Sequence, residues 1–237
     1  MSEADRIAAE YERRAREVPA DRYSPASPAQ LLHRQSRERA VLALLRSAGL
    51  LPLAGRRILD VGCGYGQWLA DFETWGADRG AIAGIDLLAD RVEAARARLE
   101  PGADLRTGDA GALPWATGSF DLVVQSTVFS SILDGRMRAA VAREMARVLA
   151  PGGAVLWCDF FVDNPRNHAV RGVPRGEIEA LFPGFVCELR RTTLAAPLAR
   201  AVAPRSPLAA TLLEALRVLN THYVGLLRRR SALQPAG

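Results

Sequence analysis

The pattern of this 237-residue chain predicts an α/β fold, a doubly wound and mostly parallel sheet. Three observations carry that expectation. A short apolar run, Arg57 to Val61, opens into Gly62-Cys63-Gly64-Tyr65-Gly66 and then into a helical pattern from Gln67 to Trp75. A second run, Ala81 to Asp86, ends on a carboxylate. Further strand patterns at 104–106, 120–124 and 154–161 alternate with helical ones, the rhythm of strand–helix–strand units.

In chain order, residues 1–20 carry alternating charges (Glu10, Glu12, Arg13, Arg14, Arg16, Glu17) and read as a helix with a solvated face. Residues 21–29, with Pro25 and Pro28, read as a linker. From Ala29 to Ala48, Val41, Leu44, Leu45 and Ala48 fall at i, i+3, i+4, i+7, the spacing of a helix that Gly49 and Pro52 stop. Residues 1–50 are therefore expected to form an N-terminal helical cap or lid, and 51–237 a single domain. After the second strand, Asp90 with Glu93 is expected to cap a helix that runs to Leu99 and ends at Pro101-Gly102. The helix Arg136 to Leu149 sets Val141, Met145, Val148 and Leu149 on one face, and Pro151-Gly152-Gly153 breaks it before the fifth strand. The tail predicts a short helix at Glu177 to Leu181 and a strand from Phe185 to Leu194. Helical material from Pro197 to Leu219, interrupted by Pro204 and Pro207, leads to a last strand from Thr221 to Leu227. Two late strands joined this way add an antiparallel pair at the sheet edge.

Bulk properties narrow the class of function. About half the residues are hydrophobic and a quarter charged, an ordinary globular balance. No apolar run is long enough to span a membrane, and the charged start is not a signal peptide. Cys63, Cys158 and Cys187 are odd in number and far apart, which points to a reducing, cytoplasmic setting without disulfides or a metal site. All 31 basic residues are Arg, and with a net charge of +5 they are scattered rather than blocked, so no nucleic-acid or membrane partner is expected. A monomer or homodimer is expected.

In a doubly wound sheet, ligands bind beyond the carboxyl ends of the strands where strand order reverses. The glycine turn, Asp86, Asp109 and Gln125-Ser126 should therefore meet on one edge. Three glycines at alternate positions let a ligand approach the backbone, and the following helix aims its amides at the same place. Asp86, twenty residues past Gly66, suits two vicinal ribose hydroxyls, and Asp109 suits an adenine amino group. Bland alternatives exist: a solvated strand end for Asp86, a turn cap for Asp109, a small buried residue for Cys63, and either a core aromatic or a pocket edge for Trp115.

Taken together, Leu59 to Gly66, Gly84-Ile85-Asp86, Gly108-Asp109-Ala110 with Leu113-Pro114 and Ser119-Phe120-Asp121, and Arg147 to Gly153 resemble the class I S-adenosylmethionine-dependent methyltransferases. They are most similar to the subgroup holding ubiquinone/menaquinone and bacterial small-molecule methyltransferases. The resemblance covers residues 57–160. It implies a Rossmann-like, seven-stranded, mostly parallel sheet with an antiparallel last strand and S-adenosyl-L-methionine as cofactor. It also implies that Gly62, Cys63, Gly64 and Gly66 line the methionine part, with Asp60 near the amino group. Asp86 would take the ribose, Leu87 would pack on adenine, Asp109 and Ala110 would meet the adenine edge, and Gln125-Ser126 would lie near the methionyl amine.

A nicotinamide dehydrogenase is the competing reading of the loop, although Gln67 stands where its fingerprint wants glycine. A cofactor-binding fold without catalysis is another. For methyl transfer the expected acceptor is a small molecule, most simply a hydroxyl of a secondary metabolite or sugar-like compound. His168 and His33 are the candidate bases, ahead of His222, Asp159 and Tyr23. Arg166, Arg171 and Arg175, with Arg190 and Arg191, suggest an anionic acceptor.

Overall fold

Ile58–Val61 (β1) is four residues long and buried throughout, because both sheet faces above it are covered. A computed structural model describes residues 2–17, 19, 24–99, 101–165 and 167–230; Tyr23 and Arg166 lie outside them. In chain order the other elements are α1 (Glu3–Glu17), α2 (Pro28–Ser47), α3 (Gln67–Thr74), β2 (Ile82–Asp86), α4 (Ala89–Arg98), β3 (Asp104–Thr107), β4 (Phe120–Ser126), α5 (Gly135–Val148), β5 (Leu149–Phe160), α6 (Arg175–Leu181), β6 (Phe185–Leu194), α7 (Ala196–Val202), α8 (Pro207–Ala215) and β7 (Asn220–Arg229).

The sheet has seven strands in the order β3-β2-β1-β4-β5-β7-β6. β1 pairs in parallel with β2 and with β4, Leu59 lying opposite Ala83 and Val123. β7 runs antiparallel to both β5 and β6. This is the Rossmann-like arrangement that the resemblance implies, with the antiparallel last strand inserted between β5 and β6. Strand order reverses between β1 and β4, so a crevice opens beyond Val61 and Ser126.

Side chains alternate between two cores. Leu59, Val61, Ile85, Val123, Val155 and Trp157 pack with Val141 and Met145 of α5 and Ile178 of α6. Ile58, Ile82, Leu122, Val124 and Leu156 pack with Val41 and Leu44 of α2, Trp68 and Phe72 of α3 and Val92 of α4. A third, smaller cluster joins Ala29 and Leu32 to Leu194, Ala199, Ala203 and Ala210.

Local chemistry explains the departures from the sequence-based boundaries. Asp90 does not cap α4: the cap position is Leu88, whose N–H donates to Asp86 Oδ1 at 3.0 Å, placing Asp90 inside the first turn. α5 starts one residue earlier than expected because Asp134 Oδ1 accepts from Arg136 N (2.6 Å) and Met137 N (3.0 Å). It ends at Val148, and β5 begins before Pro151-Gly152, which bulge out between the pairs Phe120–Leu149 and Leu122–Ala154. Arg147, in the same motif, donates to the carbonyls of Trp115 (2.8 Å) and Leu113 (2.9 Å), pinning the loop before β4.

Candidate functional site

The glycine turn is built by steric exclusion. Gly62 has φ +71°, and a Cβ there would meet Val128 Cγ2 at 2.5 Å, so the turn after β1 and the segment after β4 touch only because the side chain is missing. A Cβ at Gly64 would find no atom within 4 Å; the open side of this residue faces the cavity it helps to line. Gly66 lies behind the cavity wall, where Ala95 of α4 packs against it at 3.0 Å from an ideal Cβ.

The cavity has a volume of about 590 Å³. Its floor comes from Gly62, Cys63, Gly64, Asp86, Leu87, Asp109, Ala110 and Ser126, eight of the residues expected from sequence. Asp86 is almost fully buried; its Oδ2 accepts from Gly64 N at 2.9 Å, which ties the end of β2 to the glycine turn. Asp109 lines the floor and also caps a turn, accepting from Gly111 N at 2.7 Å, so its bland and functional readings coexist.

Asp60 and Gln125 stand just behind the floor. Both carboxylate oxygens of Asp60 are buried without a hydrogen-bond partner, as is Gln125 Nε2. Burial, with the Asp86 carboxylate nearby, pushes the Asp60 pKa well above the usual range. Burial likewise raises the Cys63 thiol, which makes it a poor nucleophile. Thr127 lines the cavity in left-handed backbone (φ 59°), uncommon for a β-branched residue and characteristic of strained functional positions.

The roof was not foreseen from sequence. Residues 1–20 read as a solvated helix, but Ile7 is buried, and Ile7, Tyr11, Arg14 and Ala15 line the cavity. They fall at i, i+4, i+7, i+8 on α1, a same-face spacing that was available in the sequence. α1 docks on the loop after β4: Arg6 Nη2 donates to Ser131 O at 2.6 Å, Tyr11 Oη lies 3.1 Å from Ser131 Oγ, and Glu3 accepts from the amides of Leu133 and Asp134. Arg91 of α4 sits 3.9 Å from the centre of the Tyr11 ring. Arg37 of α2 also reaches the cavity, 4.9 Å over Trp68.

The histidines expected as bases do not line the cavity. His168 is exposed and His33 is half-buried with Nε2 2.9 Å from Leu194 O; neither lines the cavity. Burial lowers the His33 pKa. His222 packs 3.9 Å from Phe160, and burial depresses it to about 3. Asp159 is fully buried, raised to about 6 by desolvation, and accepts from Ser130 N at 3.1 Å, which fixes the loop carrying Ser131. Of the arginines behind the anionic-acceptor idea, Arg171 pairs with Glu177 at 2.7 Å and Arg175 with Glu179 at 3.1 Å. Arg191 lies over Phe161. The cavity's own arginines are Arg14, Arg37 and Arg91. Trp115 is off the cavity, its Nε1 donating to Asp104 at 2.8 Å.

The residues present fit S-adenosylmethionine. A backbone cradle that side chains would fill, a carboxylate at the tip of β2, and an orphaned acid beside it match a ligand with ribose hydroxyls and an ammonium group. No group of three or more His, Cys, Asp or Glu able to hold a metal ion occurs among the described residues.

Comparison with known proteins gives the same direction. Residues 58–153 match the family described as "Methyltransferase domain". The chain is 35% identical over 108 residues to a demethylmenaquinone methyltransferase of Lactococcus lactis, covering 44% of this chain and 42% of that protein. It is 36% identical over 123 residues to a 27-O-demethylrifamycin SV methyltransferase of Amycolatopsis mediterranei, covering 49% and 43%. The matched stretch thus spans less than half the length of these curated relatives. A solved S-adenosylmethionine-dependent methyltransferase from Mesorhizobium loti superposes with a TM-score of 0.58 at 21% identity, covering 80% of this chain and 98% of that one, a likeness of fold.

Proposed function

We propose that the chain, whose residues 58–153 match a methyltransferase domain, uses S-adenosylmethionine to methylate a small hydroxylated molecule, of the secondary-metabolite or sugar-like kind. The observation that carries the reading is the pairing of the open glycine turn with Asp86, tied together by the Gly64 N–H···Asp86 bond of 2.9 Å. The two matched relatives named above act, by their names, on small molecules, which supports the acceptor class.

When bound, the cofactor supplies an electrophilic methyl group on a sulfonium sulfur. The chain's part is alignment and exclusion of water. Asp86 offers its carboxylate to the ribose hydroxyls, with the Gly64 and Leu88 amides holding its orientation. Leu87 and Ala110 give adenine an apolar bed, and Asp109 accepts from its amino group. Asp60 offers its unpartnered carboxylate to the ammonium group, and Gln125 backs the same end. Arg37 is suited to the carboxylate end, since its guanidinium is held over Trp68 at the cavity wall. Ile7, Tyr11, Ile132 and Met137 enclose the acceptor side and exclude water. Among the described residues no histidine lines the cavity, and the groups there able to accept a proton include Tyr11 and the carboxylates Asp86 and Asp109. The helix α1 serves as the cap over this space, while α2 packs in the core and reaches the cavity only through Arg37.

The experiment is calorimetric titration with S-adenosylhomocysteine and with NADH, on wild type and on Asp86→Ala, followed by labelled methyl transfer to a panel of small hydroxylated acceptors. Binding of S-adenosylhomocysteine alone, weakened by the substitution, together with label in a small acceptor, is expected. Label found only in amines or at carbon would overturn the hydroxyl assignment, and cofactor binding without any turnover would favour a non-catalytic role.

A further inference from the structure

The segment between β6 and β7 bears an exposed apolar stripe and three exposed arginines, and we propose that it is a docking surface for an anionic lipid membrane, which it meets at headgroup level. Leu208, Leu212 and Leu216 follow at i, i+4, i+8 along α8 and the residue after it, so they share one side. They are 70%, 59% and 67% exposed, and Val218 in the following turn is 76% exposed. The other side of α8 is already seated. Ala210 is buried in the cluster with Ala29, Leu32, Leu194 and Ala203, and Glu214 is buried beside it. The stripe is therefore not an inner face left uncovered by a shifted helix. It is an outward apolar surface on a helix whose packing is complete.

The charges select the occupant. From Ala195 to Leu219 the charged residues are Arg200, Arg205, Glu214 and Arg217. Glu214 points inward, its Oε1 accepting from Thr193 N at 2.7 Å and Ser36 Oγ at 2.5 Å. All three arginines are exposed. Every exposed charge of the segment is thus positive, next to exposed leucines. Two copies of such a surface would set like charges against each other, whereas an anionic bilayer offers both an apolar layer and opposite charge. Among the described residues no helix is long and apolar enough to cross a membrane, so the contact is with the surface. This inference stands apart from the methyl-transfer reading and does not depend on it.

The test is co-sedimentation of the full chain with vesicles of phosphatidylcholine, alone or mixed with phosphatidylglycerol, at low and high salt, alongside sedimentation velocity without lipid. Wild type should pellet with the mixed vesicles and be released by salt. Leu208→Asp with Leu212→Asp should lower partitioning about tenfold or more. Arg200→Gln with Arg205→Gln and Arg217→Gln should lower it on mixed vesicles only. Circular dichroism checks that each variant is folded, and the milder Leu208→Ser with Leu212→Ser repeats the test if the aspartates disturb folding. No binding by wild type, equal binding to both vesicle types, or variants that bind like wild type would overturn the proposal. A lipid-free dimer that the leucine substitutions dissolve would also overturn it, giving the stripe to a second copy of the chain.

Discussion

The floor and the roof of the cavity are made in different ways. The floor uses residues 62–64, 86–87 and 108–110, delivered by consecutive strands of one sheet and joined by backbone bonds such as Gly62 N to Ile85 O at 2.8 Å. The roof sets α1 against the loop after β4, and its bonds link residues more than a hundred positions apart: Arg6 to Ser131, Tyr11 to Ser131, Glu3 to Leu133. A floor built on strand ends moves only if the sheet moves. A roof held by one helix through a few partly exposed side chains opens at much lower cost. If the floor holds the cofactor and the roof admits the acceptor, as proposed above, the two functions should be separable by substitution, because different parts of the chain build them.

Substitutions in the floor should have the largest effects. Gly62→Ala places a Cβ 2.5 Å from Val128 Cγ2 at a φ of +71°, and it should cost about 2–4 kcal/mol of stability in denaturant titration as well as cofactor binding. Asp86→Ala should weaken S-adenosylhomocysteine about 100-fold in calorimetry, because it removes a buried charged acceptor and strands two amides. A floor variant that altered acceptor kinetics alone would break the comparison.

Two buried groups, Asp159 behind the roof loop and His222 on β7, give opposing pH dependences. Asp159, which holds the roof loop through Ser130, has its pKa raised from 3.8 to about 6. Between those values the folded protein keeps a proton that the unfolded chain has lost, so this group's contribution falls as pH rises through the window, by about 3 kcal/mol in all. His222 is lowered from 6.5 to about 3. There the unfolded chain binds the proton, so its contribution is lost as pH falls from 6.5 toward 3, by about 4–5 kcal/mol. In wild type the two slopes largely offset between pH 4 and 6. Relative to wild type, Asp159→Asn should therefore lose stability as pH falls from 6 to 4, and His222→Phe should gain it, measured by thermal melts across that range. A flat profile in both variants would remove the argument.

Roof substitutions should have smaller and more selective effects. Tyr11→Ala combined with Glu3→Ala loosens α1, and it should raise acceptor KM about tenfold while changing cofactor Kd less than about threefold. Equal losses in both would show floor and roof to be one unit. The smallest effects belong to residues off the cavity: His168→Ala and Arg171→Ala should leave kcat/KM within about twofold of wild type. A large loss at His168 would restore it as a base.

Much of the floor was legible because its requirements are local. A turn that must approach a ligand needs glycine at named positions, and a carboxylate must end the second strand; both leave marks in a few adjacent residues. The strands were legible for the same reason, with Phe185–Leu194 recovered to the residue. The roof was obscured because charge on α1 outweighed the quieter spacing of Ile7, Tyr11 and Arg14. The placement of His168 outside the cavity was not legible, because a titratable group on a loop near the fifth strand says nothing about the direction it faces. Cap chemistry was partly missed too: the Leu88 amide bonds Asp86 instead of leaving a cap to Asp90.

By itself the sequence determined the doubly wound sheet and the glycine turn, since these follow from periodicity and from conformations that few residue types can adopt, and its motifs carried the resemblance that residues 58–153 match. Only the tertiary structure decided which arginines reach the cavity, which carboxylate is left unpartnered, and which helix closes the roof. Those outcomes depend on contacts between segments distant in the chain, where many side chains compete for the same place and packing selects one.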